Sequence, residues 1–307
     1  MSEMRHVFTP GILLGETHYA FRTARGVIAD AVARVADEGF YGGVEISDVS
    51  DVADRKRIEN TVQAHGLRLT QWMTTLLITE KLNLSSLDED LRCRSVARMK
   101  QQMNFTAECG AHSFALFSGP DPGPGLRAKA TQQLYVSFCE LSEALTSYHP
   151  MRLIFEPLDR DAYKNGLIGP MSEAADLVRR VRCCYPNVGL CWDSAHVALC
   201  GEDVLESILA YHEFVDQIHL ANAVLDRSYP DFGDRHMPLG VPGFLTTEMM
   251  AKVIGRVVSA GFPRKSHPML SVEIRTPDGG DPWLTEAWGR RALEQAWRIC
   301  LTEDMAS

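Results

Sequence analysis

Residues 190–199 read "LCWDSAHVAL". An apolar, β-rich run that begins at "NVG" (187–189) stops at Asp193, and His196 follows three residues later among small and apolar neighbours. The plain structural reading is a helix N-cap followed by a core histidine. The competing reading is a functional site at the C-terminal end of a buried strand. The rest of the chain decides between them.

Seven further β-rich runs flank this one. They are "VFTPGILL" (7–14), "GGVEIS" (42–47), "LRLTQWMTT" (67–75), "HSFALFSG" (112–119), "MRLIFEP" (151–157), "FVDQIHLAN" (214–222) and "MLSVEIR" (269–275). The stretches between them carry apolar residues at i, i+3, i+4 spacing, which predicts helices. "VIADAVARVADEG" (27–39) ends in the Gly expected just past a helix. "SEAADLVRRVRCCYP" (172–186) opens on a Ser able to cap and stops before a Pro. Eight strands, each followed by a helical segment, make parallel β/α units, and the fold class is α/β, a closed (β/α)₈ barrel. A doubly wound open sheet is the alternative, but no GxGxxG turn follows the first strand. No interdomain linker interrupts the pattern, and residues 1–307 read as one barrel domain.

The chain has 307 residues, 45% hydrophobic and 23% charged, with a formal net charge of -9. No basic block suggests nucleic acid. No run approaches the roughly 18 apolar residues of a membrane span, and "MSEMRHVFTPGILLG" has no signal-peptide pattern. The eight Cys, at 93, 109, 139, 183, 184, 191, 200 and 300, form no CxxC pair and read as reduced thiols. A cytoplasmic protein is expected.

In such a barrel chemistry gathers at the C-terminal ends of the strands. Strand five ends in Glu156, strand six in Asp193, strand seven contains His219 and strand eight contains Glu273. Each interrupts an apolar run. Three converging carboxylates without a cation would repel one another and suffer desolvation. A divalent metal held by Glu156, Asp193, His219 and Glu273 resolves both problems. Mn²⁺ is the expected ion, with Mg²⁺, Co²⁺ or Zn²⁺ as alternatives. The segment 220–243 after strand seven reads as a loop over the mouth, and its Asp234 and His236 are candidates for a second metal or for acid–base work. After strand five, Asp159, Arg160 and Lys164 are candidates to bind substrate oxygens, with Lys164 placed to polarise a carbonyl. Trp72, Trp192 and Phe117 lie near strand ends, and Trp72 is the candidate apolar wall for a substrate.

These residues, in this order, resemble the metal-site pattern of the xylose isomerase-like TIM-barrel superfamily, which includes sugar isomerases, ketose 3-epimerases and endonuclease IV. The resemblance covers nearly the whole chain. It implies that Glu156 and Glu273 are both metal ligands and the proton-transferring pair, and that His196 contacts a substrate oxygen. One departure is informative. The "HLxDxxR" of the epimerases is "HLANAVL" here, with Asn222 and Leu225, so their substrate-binding Arg is missing from its place. "GDRH" (233–236) is similar to an endonuclease IV motif, but the early strands carry no His, which argues against a DNA-repair nuclease. "FSG", "EPLDRDAYKNGLIGP" and "GDRHMPLGVPG" resemble a branch described as sugar phosphate isomerases or epimerases, itself related to catalytic subunits of C-glycoside-cleaving enzymes.

The resemblance implies an enzyme of carbohydrate metabolism: a metal-dependent isomerase or epimerase acting through an enediolate on a small sugar, keto-sugar or hydroxy-ketone. A lyase or dehydratase on a 3-keto-glycoside begins with the same proton abstraction and is the first alternative. A non-catalytic sugar-binding or partner subunit is the second. No Gly-rich loop or basic cluster suggests phosphate binding, so an unphosphorylated sugar is expected. Oligomeric state is not readable from the residues; many members of the superfamily assemble as dimers or tetramers, so the resemblance admits a homo-oligomer.

Overall fold

The computed structural model describes residues 4–262 and 267–304. The first half of the chain runs β1 (Thr9–Leu13), α1 (Leu14–Thr17), α2 (Val27–Glu38), β2 (Gly43–Ser47), α3 (Val52–His65), β3 (Arg68–Trp72), α4 (Thr74–Thr79), α5 (Glu89–Glu108), β4 (Ser113–Phe117) and α6 (Arg127–Leu145). The second half runs β5 (Arg152–Glu156), α7 (Met171–Arg182), β6 (Val188–Asp193), α8 (Ser194–Leu199), α9 (Val204–Tyr211), β7 (Val215–Val224), β8 (Gly233–Met237), α10 (Thr247–Ala260), β9 (Met269–Glu273) and α11 (Pro282–Asp304). Strands β1 to β7 pair in parallel in chain order, and β9 pairs with both β7 and β1. The sheet therefore closes on itself as a (β/α)₈ barrel, with the helices packed around it.

All eight expected strands are present, and α2 ends at Gly39 with the left-handed φ of +68° that the sequence predicts. Two local expectations are corrected. Helix α7 begins one residue earlier than expected, and Ser172 lies inside it; its N-cap is Pro170, which offers no side-chain hydrogen bond. Residues 220–243 are not wholly irregular. Strand β7 continues to Val224 and β8 folds back against it, antiparallel, to make a hairpin that stands above the barrel. "GDRHM" hides this strand because it has no apolar alternation to read. Asn222 ties the far side of the hairpin down. Its Nδ2 donates to the carbonyls of Pro238 and Gly240 at 2.7 and 2.8 Å, and its Oδ1 accepts from Leu245 N at 2.8 Å. Gly243 gives it room, for a Cβ there would lie 2.2 Å from Asn222 Oδ1.

Side chains alternate between the barrel interior and the helical layer with the period of two that a strand imposes. On β5 the inward set is Arg152, Ile154 and Glu156; on β6 it is Gly189, Cys191 and Asp193. Leu13, Trp72, Ala115, Ile154 and Cys191 pack together as the inner core. A register shift between Leu190 and Cys191 inserts one extra residue in β7, and Asp193 is thereby paired with His219. Trp192, of opposite parity, points outward, is fully buried and donates to Ser207 Oγ at 3.3 Å. It belongs to the outer core and not to a pocket wall.

Candidate active site

The inward residues at the C-terminal strand ends bring the four expected ligands together. One ligand atom from each of Glu156, Asp193, His219 and Glu273 lies within 4.8 Å of all the others, and all four residues are buried. His219 Nδ1 is 3.0 Å from Glu273 Oε2, 3.2 Å from Glu156 Oε1 and 3.8 Å from Asp193 Oδ2. It nevertheless makes no hydrogen bond and is an unsatisfied buried nitrogen. Its other nitrogen, Nε2, faces Glu45 Oε2 at 2.9 Å. A carboxylate accepts, so Nε2 carries a proton and Nδ1 points into three carboxylates. Burial opposes a second proton on the ring, but Cys191, Glu45 and Glu273 outweigh it and hold His219 well above the ordinary imidazole range. A cation at Nδ1 would replace that charge. Such a set fits a divalent cation, which would convert the repulsion into coordination. Burial pushes Asp193 up to about 7, and Glu273 and Glu156 add to that against the pull of His196 and His219. Burial also opposes ionisation of Glu273, but His236 and His219 outweigh it and hold that carboxylate well below its ordinary range.

The stretch that ends β6 carries both of its readings at once. Asp193 Oδ1 accepts from His196 N at 2.9 Å and caps α8, while Oδ2 turns to the ligand cluster. His196 is buried, with Nδ1 3.2 Å from Asp159 Oδ2 and Nε2 3.7 Å from Asp234 Oδ2. Burial works against the imidazolium, but Asp193 and the bond to Asp159 prevail and raise His196 to about 10. It is a cation that lines the pocket.

Asp159 is corrected as a substrate-binding residue. It has no exposed surface, accepts from the backbone N–H of Tyr163 and of Lys164, and stands behind His196. Arg160 also faces away, held by the Leu167 carbonyl and Glu173. Lys164 does line the pocket, with Nζ 2.9 Å from Asp234 Oδ2 and 3.3 Å from His236 Nε2. This ammonium occupies the place the sequence offered to a second metal between Asp234 and His236. Among the described residues, the candidate metal groups include His236 with Glu16 and Glu273, and none contains Asp234. Burial, which opposes the imidazolium, is overcome by Asp234, Glu16 and Glu273, so His236 rises to about 9. Its φ of +52° is an uncommon left-handed conformation that aims Nδ1 at Glu273 Oε1, 2.7 Å away.

Trp72 lines the pocket as expected, and its Nε1 donates to Glu45 Oε2 at 2.6 Å. Glu45 is the main residue that sequence reading missed. It sits on β2 with no exposed surface and also accepts from Gln217 Nε2 and Ser271 Oγ. "GVEIS" (43–47) repeats the Val-Glu-Ile of "SVEIR" (271–275), but the carboxylate of β2 stands in mid-strand and that of β9 at the strand end. Glu16 and Arg275 were missed as well. Arg275 Nε donates to Glu16 Oε2 at 2.6 Å, and its guanidinium stacks 3.7 Å from the ring centroid of Tyr19. Glu156, His196, His219, His236 and Glu273, with Trp72, Lys164, Glu16 and Arg275, line a cavity of about 180 Å³, below the ~300–1,000 Å³ of pockets for drug-sized ligands. It suits a small polar molecule.

A family model for the xylose isomerase-like TIM barrel matches residues 32–293. In Synechocystis sp., a protein described as a "probable ketose 3-epimerase" is 25% identical over 187 residues, which take in 58% of this chain and 61% of that protein. The chain thus matches about three fifths of that curated relative's length. Among solved structures, an L-ribulose 3-epimerase superposes with a TM-score of 0.72 at 16% identity, covering 98% of each chain. The IolI protein, solved with a bound zinc atom, gives 0.65 at 14% identity over 94% of this chain and 95% of its own. At these identities the two structures establish a shared fold. Among the described residues, no helix is long and apolar enough to cross a membrane.

Proposed function

The chain belongs to the xylose isomerase-like TIM-barrel family, and on that premise we propose that it is a divalent-metal-dependent isomerase or epimerase of a small keto-sugar. The observation that carries the reading is His219 Nδ1, buried without a hydrogen bond and facing three carboxylates. Glu156, Asp193, His219 and Glu273 would hold the ion. Three carboxylates and one imidazole suit Mn²⁺ first, and admit Mg²⁺, Co²⁺ or Zn²⁺. The bound cation supplies charge stabilisation for the oxyanion that develops when a proton leaves the carbon beside a carbonyl. The curated ketose 3-epimerase relative and the structurally similar L-ribulose 3-epimerase support a sugar substrate and this class of reaction.

The chain's own residues divide the work. Glu156 and Glu273 both line the cavity, and one removes the carbon-bound proton while the other returns it. His236 stands beside Glu273 as the opposed charge, with Nδ1 2.7 Å from Oε1, so at neutral pH Glu273 is a carboxylate able to accept. His196 donates from Nε2 to a substrate oxygen, its ring held from behind by Asp159. Lys164 donates from the β8 side, and Trp72 walls the cavity beside His219. The two long cations of the pocket are already paired, Lys164 with Asp234 and Arg275 with Glu16. Among the described residues this leaves no unpaired lysine or arginine in the pocket for a phosphate and favours an unphosphorylated sugar.

Metal analysis of the purified protein, with activity on a ketose panel before and after chelation, tests the proposal. Close to one divalent ion per chain and activity restored by Mn²⁺ are expected. Full activity in chelated, metal-free protein would overturn it.

A further inference from the structure

Charge of the opposite sign gathers at the other end of the barrel. Arg68 opens β3 and Arg152 opens β5, each four residues before a mouth residue, Trp72 and Glu156, on the same inward face. Arg182, the last residue of α7, reaches the same region: its Nε donates to the Val188 carbonyl at 2.9 Å, and Arg152 Nη2 donates to that same oxygen at 3.2 Å. Two guanidiniums therefore meet at a single carbonyl.

Among the described residues Asp216 is the one carboxylate lining this cleft, and Arg152 Nε donates to it at 2.8 Å. Gly189 makes the room, for a Cβ there would lie 2.0 Å from Asp216 Oδ2. Arg68 Nη1 donates to the His267 carbonyl at 2.6 Å, with Thr9 Oγ1 at 3.4 Å, and neither Arg68 nor Arg182 forms an ion pair among the described residues. His112 lines the cleft too, and the buried Nδ1 of His267 has no hydrogen-bond partner there. Among the described residues of the cleft, three guanidiniums against one carboxylate leave a formal +2 on a chain whose net charge is -9. Burial lowers Arg68 and Arg182 below the ordinary guanidinium value, with Asp216 pulling the other way, although both remain charged.

We propose that this open cleft of about 820 Å³ at the N-terminal ends of the strands binds a phosphorylated small molecule, seated by its phosphate between Arg68, Arg152 and Arg182. Backbone carbonyls hold Arg182 (Val188, Glu213 and Phe214) and Arg152 (Pro186 and Val188) in place, but they carry no net charge to offset the guanidiniums, whose remaining N–H groups can still meet phosphate oxygens. The space exceeds what inorganic phosphate fills, so the anchored group is one end of a larger polar molecule. This site lies at the end of the barrel opposite the metal cluster and is independent of the reaction proposed there.

Isothermal titration of inorganic phosphate into the full chain, against chloride at equal ionic strength, tests the site. Saturable binding is expected, weakened by about tenfold or more in Arg68→Gln and in Arg152→Gln, and retained in Glu156→Gln at the opposite end. Asp216→Asn removes the one competing carboxylate and is expected to tighten binding severalfold, a gain that misfolding cannot imitate. Absence of saturable binding in the wild-type chain, or phosphate affinity unchanged in both Arg68→Gln and Asp216→Asn, would overturn the proposal.

Discussion

At His219 the two imidazole nitrogens face opposite ways, Nε2 down to Glu45 and Nδ1 up to Glu156, Asp193 and Glu273. Glu45 therefore sets the ring's tautomer and aim, and it is itself fixed by Trp72, Gln217 and Ser271. Glu45→Gln keeps the volume but mismatches these donors, and metal affinity is expected to fall by about 10–100-fold. Titration of metal-stripped variant and wild type with Mn²⁺ checks this; equal affinities would remove Glu45 from the account. The four candidate ligands could be picked out because each breaks an apolar strand at the same depth. Glu45 could not, because a carboxylate one layer deeper points at other side chains that no sequence pattern puts beside it. Asp159 was misread for a related reason: its position after β5 is visible, but its burial behind His196 depends on how the loop folds back.

Among the elements, the eight parallel strands were readable from β-rich runs alternating with helical spacing, and the barrel followed from their order. The β7–β8 hairpin was not readable, since its second strand is charged and its pairing is held by a side chain, Asn222, sixteen to twenty-three residues away in sequence from what it binds. The departure of "HLANAVL" from the epimerase pattern thus has a structural consequence: Asn222 clamps the segment 238–245. Asn222→Ala strands the buried N–H of Leu245 and takes the donor from the part-buried carbonyls of Pro238 and Gly240, at an expected cost of about 1–3 kcal/mol. A lower denaturation midpoint together with faster amide exchange in 238–245 is the expected result. The hairpin also carries Asp234 and His236 to the mouth, and the Arg275 N–H bonded to the His236 carbonyl at 2.8 Å anchors it to the end of β9.

Taken whole, the molecule puts carboxylates at one end of a closed barrel and guanidiniums at the other, with a packed interior between. Its stability also depends on pH through a residue outside both clusters. Burial, reinforced by Arg34, lowers His18 to about 4, and Trp283 packs its ring edge-on at 5.0 Å. The unfolded chain binds that proton near 6.5 and the native chain only near 4, so this residue's contribution is present above pH 6.5 and lost as pH falls toward 4. Denaturation midpoints are expected to drop more steeply over that window in the wild type than in His18→Gln. Proton transfer between Glu156 and Glu273 remains the centre of the account. It is tested most directly by incubating the metal-loaded enzyme with ketoses in D₂O and following products by NMR, alongside Glu156→Gln and Glu273→Gln. The account predicts an isomer of otherwise unchanged composition, deuterated at one carbon beside the carbonyl, and a rate lowered about 10²–10⁴-fold in either variant. Turnover without deuterium uptake, or variants that exchange as fast as the wild type, would contradict it.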